Sequence, residues 1–160
     1  MFFRSYQQDF GLDYTIFRFF NTYGPNQSTD FVVSRFLAAA LKHEDITIYG
    51  DGTQTRTFTY VDDNIDTILA CHYDNHILND VINIGSEKLV SIKELAEMII
   101  KIADSKSKLV FLPPLKEGDM TRRQPDNSKM KSLLNRELVS LEEGIIRMMN
   151  DKKYMKLIGL

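Results

Sequence analysis

Strand-like and helix-like stretches take turns along this 160-residue chain, and that alternation restricts its fold more than any other feature. The first strand-like stretch, residues 14–20 (YTIFRFF), is rich in aromatic and β-branched residues and reads as a buried strand. It stops abruptly in Asn-Thr-Tyr-Gly-Pro-Asn, where Gly24-Pro25 marks a loop over 21–30. Strands are also expected at 46–49 and 55–61, on either side of the turn Gly50-Asp51-Gly52, and at 81–84 and 109–112. Phe2, Phe3, Tyr6 and Phe10 share one helical face, with Gly11 as the stop. Further helices are expected over 31–42 with Asp30 as cap, and from Asp62 or Asp63 with Ile65, Ile68 and Leu69 turned inward. Ser91-Ile-Lys-Glu94 is a capping box that opens a helix to about Ile102. Two shorter helices follow, at 128–134 and from a second capping box, Ser140-Leu-Glu-Glu143, and the last ten residues read as a frayed helical end. Strands alternating with helices in this way define an α/β protein.

Composition narrows the partners. At 43% hydrophobic and 26% charged, the chain can fill one sizeable core. A net charge of -2, with Lys and Arg scattered, speaks against nucleic acid as a partner. The single Cys71 excludes an internal disulfide, fits a reducing compartment and reads as a small core residue. His43, His72 and His76 lack metal-ligand spacing, so no metal site is expected. No apolar run approaches the ~20 residues that span a bilayer, and the N-terminus lacks the long apolar segment of a signal peptide. The expectation is a soluble, cytoplasmic protein without a membrane partner.

Three places could carry chemistry. Ligands bind beyond the carboxyl ends of strands in open α/β sheets, and Asn21 occupies such a place. Its amide offers donors and an acceptor, although a turn residue before Gly-Pro is the plainer reading. Arg56 alternates onto the same face as Phe58 and Tyr60, where a cation needs an anionic partner. That partner is either a ligand phosphate, which suits a guanidinium fork, or a carboxylate at the surface. The loop LKEGDMTRRQPD, residues 115–126, interleaves Lys116, Arg122 and Arg123 with acids and reads as solvated or anion-binding. Tyr49 ends its strand just before the glycine turn, where its ring could wall a flat ligand group or cap the core.

Five stretches in order, RFFNTYGP (18–25), ITIYGDGTQTRTFTYVDD (46–63), VINIGS (81–86), SIKELAEMI (91–99) and GDMTRRQPDNSKM (118–130), resemble the C-terminal half of the extended short-chain dehydrogenase/reductases. These are NAD-dependent nucleotide-sugar epimerases, 4,6-dehydratases and decarboxylases. The resemblance implies the C-terminal part of a Rossmann-type doubly wound sheet plus a small substrate-binding α/β subdomain. Residues 1–30 and 56–86 would be late Rossmann elements, and 31–55 and 87–160 mainly the subdomain. It implies a nucleoside-diphosphate sugar as ligand, NAD as cofactor and a homodimer. Asn21 would lie beside the diphosphate and Arg56 would clamp it, with Arg123 as second clamp. Lys116 stands where some members carry another arginine, and offers a point charge in place of a fork. Tyr49 would pack on the nucleobase, Phe31 would line the sugar or nucleotide pocket, and Phe20 would lie near the nicotinamide.

Two of the family's motifs are missing from this sequence. No two of its eight glycines are three apart, so the glycine-rich turn that cradles the NAD pyrophosphate is absent. None of its seven tyrosines has Lys four residues on, so the catalytic Tyr-x-x-x-Lys pair is absent and no catalytic residue is assigned. Gly11-Leu12 matches the turn after the catalytic helix, so 1–10 would be the tail of that helix. The expectation is a substrate-binding half, inactive alone, whose NAD-binding half is absent or a separate chain. The alternative is a stand-alone non-catalytic module that binds a nucleotide sugar or a protein.

Overall fold

The computed structural model describes residues 2–73, 77–114 and 124–160. Its elements run α1 (Phe2–Phe10), β1 (Thr15–Phe19), β2 (Thr22–Tyr23), α2 (Val32–Leu41), β3 (Ile46–Tyr49), β4 (Thr55–Arg56), β5 (Thr59–Tyr60) and α3 (Val61–Tyr73). Then come β6 (Asp80–Ile84), β7 (Val90–Ser91), α4 (Ile92–Ile102), β8 (Leu109–Leu112), α5 (Ser128–Leu134), α6 (Leu141–Met149) and α7 (Lys152–Leu157). The protein is α/β, and among the described residues three of the four strand pairs are parallel: β1 with β6, β2 with β5 and β3 with β8. The short β4 and β7 pair antiparallel, Arg56 opposite Val90. Parallel pairs need long crossovers, and the helices supply them.

Two apolar clusters hold these elements. The larger joins α2, β3, α4, α6 and α7 around Phe36, Leu37, Leu95, Ile99, Ile145 and Tyr154. The smaller joins β6, α3 and α5 around Ile82, Ile84, Cys71 and Met130, with Phe17 of β1 packed against it. Burial pushes the Cys71 thiol up, which suits a packing role. Among the described residues no helix is long and apolar enough to cross a membrane.

Several expectations change. The 55–61 stretch is not one strand forming a hairpin with β3. It breaks at Thr57-Phe58, so β4 pairs with β7 and β5 with β2, while β3 takes β8 as its neighbour. Gly50 and Gly52, at φ +76° and +75°, still turn the chain here. Strand β1 is half-buried, with Phe19 51% exposed, because the described neighbour lies along one edge only. Asp30 does not cap α2. Its carboxylate accepts from the Ser28 hydroxyl at 2.7 Å, and Phe31 stands at the N-cap without a side-chain bond.

Helix α3 is rotated relative to the expectation. It buries Asp63, Asn64, Thr67 and Cys71, and leaves Ile65 and Leu69 47% and 42% exposed. The cause is Asp63, which accepts from Arg136 Nη1 at 2.7 Å and from the Val139 N–H at 3.0 Å. A buried carboxylate needs such partners, and they fix which way the helix faces. The C-terminal end is not frayed either. Asp151 caps α7 through the N–H groups of Lys153 and Tyr154, and the fully buried Tyr154 donates its hydroxyl to the Ser34 carbonyl at 2.7 Å.

Candidate functional site

The site grows from the carboxyl end of β1. The Phe20 N–H donates to the Ile84 carbonyl at 2.9 Å, continuing the β1–β6 ladder by one residue. Asn21 then turns the chain at φ +38°, a left-handed conformation that Asn tolerates better than most residues. Its Nδ2 donates to the Thr57 carbonyl at 2.9 Å, and its own carbonyl accepts the Thr59 N–H at 3.2 Å. One residue thus ties the end of β1 to the β4–β5 segment. Its side-chain carbonyl must point away from Thr57, since only the amide nitrogen can donate there.

A cavity of about 1100 Å³ lies beyond β1 and β3. That volume is sufficient for a drug-sized or larger ligand. Asn21, Phe31, Tyr49 and Arg56 all line it, so four of the residues singled out in the sequence meet at one cavity. Phe31 stands at the N-cap of α2 and is exposed, which leaves its ring to the cavity rather than the core. Tyr49 ends β3, and Gln54 Nε2 donates to its carbonyl at 3.2 Å, fixing the strand end. Arg56 is half-buried, and its Nη1 donates to the Thr55 carbonyl at 2.7 Å. Phe58 shares the cavity with Arg56, but Tyr60 turns away and meets Tyr23 edge-on.

Phe20 does not reach this wall; its neighbour Phe19 does. Phe20 instead lies against Gly85, where a Cβ would come within 2.8 Å of the Phe20 Cβ. Lys116 and Arg123 lie outside the described residues. The sequence reading missed Arg35 and Phe36 of α2, which also line the cavity. The one available signal was spacing: Arg35 follows Phe31 by four residues and so shares its helix face. Of the lining acids and phenols, Asp51 is held below the usual carboxylate range by the Thr53 N–H and hydroxyl. Burial pushes the Tyr23 hydroxyl well above the ordinary phenol range. Among the described residues no group of His, Cys, Asp and Glu could hold a metal ion.

The model of the NAD dependent epimerase/dehydratase family matches residues 2–85. A UDP-N-acetyl-alpha-D-glucosaminuronate decarboxylase from Bacillus cytotoxicus is 40% identical over 144 residues, covering 84% of this chain and 44% of that protein. This chain belongs to the NAD-dependent epimerase/dehydratase family. Its fold agrees with solved members. A UDP-glucose 4-epimerase from Thermotoga maritima, solved with UDP-glucose, superposes with a TM-score of 0.86 at 32% identity, over 98% of this chain and 50% of that one. A UDP-glucuronic acid 4-epimerase from Bacillus cereus, in complex with UDP-glucuronic acid and NAD, gives 0.79 at 33% identity, over 96% and 48%. The chain therefore spans about half the length of the family members it matches.

NAD is the cofactor of this epimerase/dehydratase family. The described residues alone do not fit its pyrophosphate, which needs glycine backbone open to close approach at the start of a helix. Gly50, after β3, is open, with a Cβ there no nearer than 3.9 Å to Pro114, but it leads into β4 and not into a helix. The glycines that follow strands β2 and β6 are closed off. A Cβ on Gly24 would meet Val61 at 2.6 Å, and one on Gly85 would meet Phe20 and Pro125 below 3.0 Å. Gly11 has open space but ends a helix, where carbonyls rather than N–H groups are presented. What the described cavity presents is aromatic rings, guanidinium groups and the hydrogen-bonded amides of Asn21, Gln27 and Gln54.

Proposed function

We propose that this chain is the substrate-binding half of an NAD-dependent nucleotide-sugar epimerase, 4,6-dehydratase or decarboxylase that works through a 4-keto sugar, and that it has no turnover alone. The carrying observation is the meeting of Asn21, Phe31, Tyr49 and Arg56, from four separate segments, on one 1100 Å³ cavity. The UDP-sugar names of the relatives support the ligand class. In this reading Asn21 and Arg56 hold the diphosphate, Tyr49 stacks on the nucleobase and Phe31 lines the nucleotide or sugar pocket. Lys116 and Arg123 add cations from the late loop, and Phe20 lies behind the cavity toward the nicotinamide side. Segments 1–30 and 56–86 serve as late Rossmann elements, with 31–55 and 87–160 mainly the substrate subdomain. The NAD cradle and the Tyr-Lys pair belong to the other half of the fold, and the whole works as a cytoplasmic homodimer.

Calorimetric titration with UDP tests this. Arg56→Ala should weaken binding about tenfold to a hundredfold, the value of a charge-assisted contact of roughly 1.5–3 kcal/mol. Unchanged affinity with an intact fold returns Arg56 to a purely structural role. The same chain, incubated with NAD and UDP-glucuronic acid, should yield no product above a heat-killed control. Turnover would overturn the assignment of the chemistry to the other half.

A further inference from the structure

We infer that Arg35 is a further cationic contact for the phosphates of the ligand, on the α2 side of the cavity. This rests on the reading of the cavity as a nucleoside-diphosphate site. Arg35 lies one turn along α2 from Phe31, its N–H donating to the Phe31 carbonyl at 2.8 Å, and its side chain lines the cavity. The guanidinium carbon lies over the Phe36 ring, 5.6 Å from its centroid. Phe36 is part of the buried core, so the ring beneath the cation is fixed. A cation–π contact uses none of the guanidinium's capacity to donate to an acceptor oxygen, so its N–H groups can still meet an anion.

The other described arginines near acids are committed differently. Arg136 is paired with Asp63 and Asp66, and Arg147 with Asp62 and Glu143. Among the described residues no carboxylate pairs with Arg35. The carboxylate of the cavity wall, Asp51, is tied to its own loop through the Thr53 N–H at 3.0 Å and hydroxyl at 2.7 Å. Arg56 directs Nη1 to the Thr55 carbonyl, so part of its fork is already used on backbone. A diphosphate presents several anionic oxygens, and a guanidinium from a different element adds a contact that Arg56 alone does not supply.

The test compares uridine, UMP and UDP as probes against the protein with Arg35→Ala, Arg35→Lys and Arg56→Ala. Arg35 is exposed, so the alanine variant should melt as the parent does, and the melt is recorded for each. We expect Arg35→Ala to weaken UDP and UMP about three- to tenfold, less than a buried pair because solvent screens the contact. Uridine affinity should stay the same, Arg35→Lys should keep part of the effect, and added salt should shrink the difference. If Arg56→Ala weakens UDP but Arg35→Ala does not, Arg35 is a solvated helix residue and the cavity reading stands. If Arg35→Ala weakens uridine as much as UDP, the contact is not to phosphate and the inference fails. If the parent protein binds none of the probes, the cavity reading and the inference fall together.

Discussion

Asn21 holds the backbone of Thr57 and turns the chain in a left-handed conformation, so its replacement has two consequences. Asn21→Ala should cost about 1 kcal/mol of stability through the lost hydrogen bond, in addition to any loss of ligand. Thermal denaturation of the variant should show a lower midpoint even without ligand; an unchanged midpoint would mean the Thr57 bond contributes nothing net. A second residue-scale case is Gly144, where a Cβ would stand 2.0 Å from the Tyr23 hydroxyl. Alanine favours a helix by about 1 kcal/mol over glycine, but the buried Tyr23 ring, packed edge-on against Tyr60, would have to shift to admit the methyl. Gly144→Ala should therefore destabilise by about 1–3 kcal/mol in a denaturant titration, and a stabilised variant would show that Tyr23 can yield. Cavity-lining residues were legible where they broke a pattern, as Arg56 did among apolar neighbours. Arg35 was not, because a charged residue on an amphipathic helix breaks none.

Helix boundaries were legible because the caps are local. Ser91 accepts from the Glu94 N–H at 3.1 Å, and the Glu94 carboxylate accepts from the Ser91 N–H at 2.8 Å. The Ser91 N–H first, and the Ser91 hydroxyl second, hold the Glu94 carboxyl below its ordinary value of 4.5. A depressed folded-state value stabilises fully above the unfolded one, and the contribution fades as pH falls through the lower folded value. Glu94→Ala should thus melt below the parent at pH 7, and the gap should narrow below about pH 4. A gap independent of pH would locate the effect in packing. Helix rotation and strand partners were less legible, because distant residues decide them. The inward face of α3 is chosen by Arg136 and Val139, more than seventy positions downstream of Asp63. Two local caps were misread as well: Ser28 claims the Asp30 carboxylate, and Asp151 caps a helix in a stretch that reads as fraying.

At the scale of the molecule, the α/β class followed from alternation alone, but the distribution of burial did not. Helix α1 buries none of its residues, and Phe2, Phe3, Tyr6 and Phe10 are exposed with Phe19, Ile65 and Leu69. So many exposed apolar side chains exceed what scattered surface residues explain and favour association. The purified chain should bind a hydrophobic dye and elute as oligomers in size-exclusion chromatography with light scattering; a monodisperse monomer without dye binding would contradict this. The strand pairings carry another consequence. They join residues 15 to 80, 22 to 59, 46 to 109 and 55 to 91, and none closes a local hairpin. Loop-closure entropy is spent before such contacts return anything, so folding is slow for the chain's size. During synthesis at about 5–20 residues per second, β3 waits roughly 3–12 s for β8 to be made. For that interval Ile48 and Tyr49, which line the cavity, have no partner strand, and the half of the cavity that β3 carries stays unsupported until the chain is nearly three-quarters made.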